Sequence, residues 1–306
     1  MKKLCCLLLG LLLFIPGCGN QHTSLDDGAL QAAATTYPVY LLTQAVTEGV
    51  EGVEVSLVID QEVSCLHNYT LTMQDMTTVE KADVLVLNGA GMEDFLSDVL
   101  DGRQTIDSSQ GIELLCPEEA HEHEEEHDDH DDHDHHHDQD PHIWLDPLNA
   151  AEMAQNIAAG LSALDPDNEA AYLANANAIS DELTQFHEEM LALLGDGDYD
   201  LITFHDGFGY FAASFGMHLL AAVEEEEGSE ASAKTIVEIT ELVKEHDLPA
   251  VFTEENGSDA TAQVICRECG IDTYTLSMGM SGNGGGLAAY EAIIRGNIET
   301  ILEAYQ

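Results

Sequence analysis

The sequence predicts two Rossmann-like α/β lobes, each built on a parallel sheet, joined by a long rigid helix. Three observations carry this reading. Short apolar runs alternate with helical periodicity in both halves of the chain. The run Ala82-Asp83-Val84-Leu85-Val86-Leu87-Asn88 is apolar on consecutive positions, as a strand buried on both faces of a parallel sheet requires. Between the halves, residues 166–194 keep apolar positions at helical spacing up to the stop at Gly195. At ~1.5 Å per residue that helix is roughly 40 Å long, which suits a spine between lobes better than a crossover within one.

In chain order, residues 30–36 read as the first strand and 38–48 as a helix opened by Pro38. The β-branched run 53–59 is the second strand. Residues 72–81 form a helix, 82–88 the buried strand, 92–100 a helix and 111–115 a fourth short strand. After Pro147 the pattern turns helical, with 148–164 stopped at Asp165-Pro166 before the long helix. The second half repeats the rhythm: strands at 199–204, 218–223, 248–253 and 271–276 alternate with helices at 209–215, 232–246, 258–269 and 287–305.

The N-terminus is of another kind. Lys2 and Lys3 precede an apolar run that ends at Pro16, followed by Gly17-Cys18-Gly19-Asn20. A basic start, a short apolar stretch and a small residue before the break read as a secretion signal, too short to span a bilayer as a stable helix. Ile15-Pro16-Gly17-Cys18 resembles a bacterial lipobox, so Cys18 is expected to be lipidated and to become the mature N-terminus. The expected organisation is a signal peptide (1–17), a polar tether (18–29), an N-terminal lobe (30–147), a helical linker (148–196) and a C-terminal lobe (197–306). The mature chain is expected outside the cytoplasm, anchored to the cell membrane, as a monomer.

The 306-residue chain carries 59 acidic side chains against 8 basic ones. Such a surface repels nucleic acid and concentrates cations. Segment 118–140 holds 13 of the acids, so the rest of the chain is acidic too. Within it, His121, His123, His127, His130, His133, His135, His136 and His137 are interleaved with carboxylates. With nothing apolar to bury and dense like charge, this run is expected to be disordered and to collect metal ions loosely. It ends at Asp140-Pro141-His142-Ile143-Trp144-Leu145-Asp146-Pro147, a stretch made rigid by two prolines and carrying the sole tryptophan.

Three histidines fall in loops beyond predicted strands: His67, His142 and His205. Ligands of open α/β sheets bind outside the carboxyl ends of the strands. Three imidazoles gathered there, two from one lobe and one from the other, would make a transition-metal site in the cleft. His187, His218 and His246 lack that context and read as surface or core residues. Cys266-x-x-Cys269 has no second pair at zinc-finger spacing, so it and the remaining Cys65 and Cys116 read as buried thiols or a structural disulfide.

These segments together resemble the solute-binding lipoproteins of bacterial zinc/manganese ABC uptake systems, over nearly everything after the tether. His67-Asn68-Tyr69, the Asp140–Pro147 octapeptide, Phe204-His205-Asp206-Gly207-Phe208-Gly209-Tyr210-Phe211 and Ser232-Ala233-Lys234 carry the likeness, with Thr35-Thr36-Tyr37-Pro38 as a weaker match. The resemblance implies two α/β lobes, a connecting helix, a metal buried between the lobes and an ABC permease as partner. Manganese-type members usually place a glutamate where this chain has His205, and three neutral imidazoles favour Zn²⁺ over Mn²⁺. The family's fourth ligand is often an acid after the last strand. Here that stretch reads Thr275-Leu276-Ser277-Met278-Gly279, which leaves Glu254 or a water for the fourth position. Ligation needs neutral imidazoles, so affinity is expected to fall as the pH drops through their titration. Two other classes compete: a three-histidine zinc hydrolase, for which no helix-borne His-Glu-x-x-His arrangement is read, the string at His123–His127 lying in the run expected to be disordered, and a surface zinc buffer in which only residues 121–137 matter.

Overall fold

The computed structural model describes residues 28–63, 66, 69–115, 139–224, 231–255, 257 and 259–306. The signal segment, Cys18, most of the tether, His67, the eight histidines of residues 121–137, Cys65 and Cys116 lie outside the described residues.

Two four-stranded sheets form, and every strand pairing within them is parallel. The first contains β1 (Leu30–Ala34), β2 (Val53–Leu57), β3 (Val84–Leu87) and β4 (Thr105–Asp107) in the order β2-β1-β3-β4. The second contains β5 (Asp200–His205), β6 (His218–Glu224), β7 (Ala250–Glu254) and β8 (Asp272–Leu276) in the order β6-β5-β7-β8. The helices α1 (Tyr37–Val46), α2 (Met73–Lys81), α3 (Ser97–Leu100), α4 (Pro147–Leu164), α5 (Glu169–Leu194), α6 (Gly209–Ser214), α7 (Ala233–Glu245), α8 (Ala260–Cys269) and α9 (Gly286–Ala304) complete the chain. None of the described helices is long and apolar enough to cross a membrane.

Local chemistry sets the helix ends. At α2 the Thr72 hydroxyl accepts from the Asp75 N–H and the Asp75 carboxylate accepts from the Thr72 N–H, a reciprocal cap. Asp146 caps α4 through the Leu148 N–H with Pro147 as first residue, and Ser232 caps α7 through the Thr235 N–H. Gly270 closes α8 in the left-handed conformation.

Two expectations need correction. The fourth strand is Thr105–Asp107, not residues 111–115. Thr-Ile-Asp offers one buried apolar side chain, too little to announce a strand, and pairing with β3 supplies what the sequence pattern lacks. Residues 92–100 are not one helix either: a 3₁₀ turn at Asp94–Leu96 runs into the short α3, because the preceding Gly89-Ala90-Gly91 turn, with all three residues at positive φ, sets a different entry.

The link between the sheets is a pair of helices, since α4 and α5 pack along each other as well as on the first lobe. The closing helix α9 joins them. Tyr290, Ile294, Ile298 and Ile301 of α9 share one continuous core with Leu41, Leu42 and Val46 of α1, Ile157 and Leu161 of α4, and Tyr172 and Leu183 of α5. Beside β4, Gly160 lets α4 approach closely: a Cβ there would lie 2.6 Å from Ile106. A separate, smaller core around Ile202, Phe204, Val251, Ile239 and Ile265 holds α7 and α8 onto the second sheet. Tyr37 fastens the two lobes, its hydroxyl donating to the Gly284 carbonyl (3.0 Å) and accepting from the Gly284 N–H (3.1 Å).

Candidate metal centre

In each sheet the direction of winding reverses beside the first strand, between β1 and β3 and between β5 and β7. Such switch points open a crevice beyond the carboxyl ends of the strands. In the second sheet the two flanking strands end on His205 and Glu254, both buried. In the first sheet they lead into Thr35 and Asn88, also buried, and it is Asn88 that holds the loop carrying His142.

His142 is fixed from several sides. The Asn88 amide donates to the Pro141 carbonyl at 2.9 Å. Asp140 accepts from the His142 backbone N–H at 2.9 Å, and the same oxygen sits 2.7 Å from the ring Nδ1. The Tyr210 hydroxyl donates to the Asp140 carbonyl (3.0 Å) and accepts from the Leu115 N–H (2.9 Å). Beyond His142 a buried 3₁₀ turn, Ile143–Leu145, carries Trp144 toward the second lobe, where its indole N–H donates to the Met278 carbonyl at 2.9 Å. The Tyr290 hydroxyl donates back to the Trp144 carbonyl at 2.7 Å.

The carboxylate of Asp140 beside Nδ1 favours the tautomer with the proton there, in which the Nε2 lone pair points toward His205. His205 faces it: the two Nε2 atoms are 3.3 Å apart and the rings lie edge to face at 5.1 Å. Both residues are 2% exposed. For metal–nitrogen bonds of ~2.0–2.1 Å, the edge of a tetrahedral site is about 3.3–3.4 Å, so the spacing fits two imidazoles on one zinc ion. Gly207 leaves room for this meeting: a Cβ there would lie 2.6 Å from Met278 Cε, 2.8 Å from His205 Cδ2 and 3.0 Å from His142 Cε1.

Glu254 reaches His205 on the other side of the ring, with Oε1 3.8 Å from Nδ1. Asp206, beside His205, is exposed. His67 lies outside the described residues; Leu66 and Tyr69, close to it in sequence, are described. The Tyr69 N–H donates to the Leu66 carbonyl (3.0 Å), its hydroxyl donates to Asp75 (2.8 Å), and its ring meets Phe95 edge on at 5.7 Å. Of the expected ligands, the structure therefore brings together His142, His205 and Glu254. A cavity of about 250 Å³ between the lobes is lined by Tyr37, Asp60, Gln61 and Glu62 on one side and Ser281, Gly282 and Asn283 on the other.

The support of this site leaves no local mark in the sequence. Glu93 is buried beneath it and accepts from the Thr35 hydroxyl (2.6 Å), the Asn88 N–H (2.6 Å) and the Gly89 N–H (3.0 Å). Burial outweighs those three donors and pushes its carboxyl up to about 7. A folded-state value above the unfolded 4.5 contributes stability below that value and loses it as the pH rises through about 7. Glu93→Gln is expected to flatten the fall of the melting temperature between those pH values. It should also lower stability by about 1–3 kcal/mol, because an amide NH₂ would meet backbone N–H donors. Thermal unfolding of both proteins across the range checks this, and parallel pH profiles would contradict it.

Comparison with known proteins gives a consistent picture. The ZnuA family description, zinc-uptake complex component A, periplasmic, matches residues 33–304. The zinc-binding lipoprotein AdcA of Streptococcus pneumoniae is 32% identical over 289 residues, covering 90% of this chain and 55% of AdcA, so the chain spans about half the length of that relative. The manganese-binding lipoprotein MntA of Halalkalibacterium halodurans is 25% identical over 99% of this chain and 98% of its own. Among solved structures, a crystal structure of ZnuA superposes with a TM-score of 0.75 at 26% identity, covering 91% of this chain and all (100%) of that one.

Proposed function

Because the chain belongs to the ZnuA family of zinc-uptake components, we propose that it captures Zn²⁺ outside the cytoplasm and delivers it to an ABC permease. The observation that carries this is the buried pair His142 and His205, with Nε2 atoms 3.3 Å apart at the meeting of the two lobes. His142, His205 and His67 are the proposed ligands. Asp140 orients His142 through Nδ1, the arrangement by which an outer carboxylate fixes a ligand's tautomer. Glu254 stands at Nδ1 of His205, away from the facing Nε2 atoms between which we place the metal. We infer that Glu254 steadies the His205 ring and that a water takes the fourth position.

The lobes act as halves of a clamp. His142 comes from one side and His205 from the other, so the loaded site ties the lobes together and release requires their separation. An all-imidazole protein set favours zinc over manganese, although a manganese-binding relative is similar in sequence over nearly its whole length. The membership concerns a binding component, which sets the hydrolase alternative aside. Lipidation at Cys18 keeps the protein near its permease, and residues 121–137 act as a loose collector feeding the cleft. The division into lobes at 30–147 and 197–306 with a helical linker at 148–196 remains the working organisation.

The test is zinc accumulation by zinc-starved cells that depend on this protein. The wild type is expected to restore uptake, His142→Ala to fail, and Cys18→Ala to leave the membrane fraction or stay unprocessed. Full uptake with the His142→Ala protein would overturn the proposal.

A further inference from the structure

At the opposite end of the second sheet, far from the cleft, a group of side chains is left unused by the function above. β5 begins at Asp200 and ends at His205, so five residue steps of ~3.3 Å separate the two ends by roughly 17 Å. Around Asp200 three elements converge. His218, the first residue of β6, places Nδ1 3.0 Å from Asp200 Oδ1 and 3.5 Å from Asp198 Oδ1. His246, the cap residue after α7, places Nδ1 2.7 Å from Asp200 Oδ2. The Asp200 backbone is itself held, its N–H donating to the Tyr305 hydroxyl at 3.0 Å and its carbonyl accepting from that hydroxyl.

We propose that Asp198, Asp200 and His218 form a second divalent-metal site, with His246 holding the outer oxygen of Asp200. One ligand atom from each of the three lies within 4.8 Å of the others. For bonds of ~2.0–2.1 Å, the ligand–ligand edges of six- and four-coordinate sites run from about 2.9 to 3.4 Å, which brackets the 3.0 Å and nears the 3.5 Å contacts of His218. One imidazole with two carboxylates suits a borderline ion such as Zn²⁺ or Ni²⁺ rather than Ca²⁺ or Mg²⁺. The division of labour on Asp200, one oxygen toward the ion and one toward a histidine, is that of a ligand with an outer partner. The carboxyl end of α7 adds the negative pole of its dipole beside His246. With Asp198 84% and His218 63% exposed at the side chain, solvent completes the shell, and the ion is held more weakly than in the buried cleft.

The experiment follows the histidine rings of the full chain, labelled with ¹⁵N, during titration with zinc beyond the first equivalent. The His218 resonance, assigned by its loss in His218→Gln, is expected to shift at Nδ1. Saturating zinc is expected to fall by one ion per chain in His218→Gln, with the first tight equivalent unchanged. His246→Gln should weaken this second site about 10–100-fold without removing it. A His218 resonance that stays put while other histidines respond overturns the proposal, as does an unchanged saturation count in His218→Gln. If that variant unfolds, the His218 ring is assigned in the wild type through its own backbone resonances, and its Nδ1 shift decides.

Discussion

Replacing His142 by alanine is expected to remove tight zinc binding while leaving the fold in place. The ring supplies one of the two Nε2 atoms that face each other at the proposed site. A graded companion variant sharpens the expectation. Asp140→Asn keeps the ring but weakens the partner of Nδ1, so it should cost about 10–100-fold in affinity. His142→Ala should cost clearly more than Asp140→Asn. Competition with a chelator of known affinity measures both. Equal losses, or an unaffected His142→Ala, would mean that the ring is not a ligand.

The second large effect is expected from the smallest change, Gly207→Ala. The added methyl would lie 2.6 Å from Met278 Cε, which can swing aside, but also 2.8 Å and 3.0 Å from the rings of His205 and His142. Those rings are held, His142 by Asp140 and His205 by its place at the end of β5. Overpacking of this kind costs about 1–3 kcal/mol and spreads the rings. Zinc affinity should fall steeply while the secondary structure persists. Adding Met278→Ala to Gly207→Ala should restore little, because the methyl still meets the rings. Full restoration would place the clash on the methionine instead.

How much of this was legible in the sequence varies with the kind of signal. β3 is readable because Val84, Leu85 and Val86 are all buried, and a strand covered on both faces is an apolar run. β4 is not, because Thr105-Ile106-Asp107 has a single inward side chain and owes its conformation to β3. His142 and His205 were legible as candidates, which the structure brings together, because each follows or ends a segment that stops an acidic or apolar run. Asp140 was visible in the same stretch as His142, but its contact with Nδ1 depends on a turn that spacing does not reveal. Glu93 gave no signal: its three donors come from residues 35, 88 and 89, joined only once β1 and β3 pair. His218 and His246 read as surface or core residues and both are exposed; their shared partner Asp200 was not legible, since it reaches them through strand pairing and helix packing rather than through any local pattern. The pairing of α4 with α5 is likewise a tertiary fact. Apolar periodicity gave both helices, but not that α9 would complete their core.

The most direct test of where the tight zinc resides compares three full-length proteins by chelator competition: the wild type, a variant lacking residues 121–137, and His142→Ala with His205→Ala. The expected result is that removal of the histidine-rich run lowers the total zinc bound but keeps the first, tight equivalent, whereas the double variant loses that equivalent and keeps the loose ones. Loss of the tight equivalent with the run, and its survival in the double variant, would contradict a cleft site at His142 and His205.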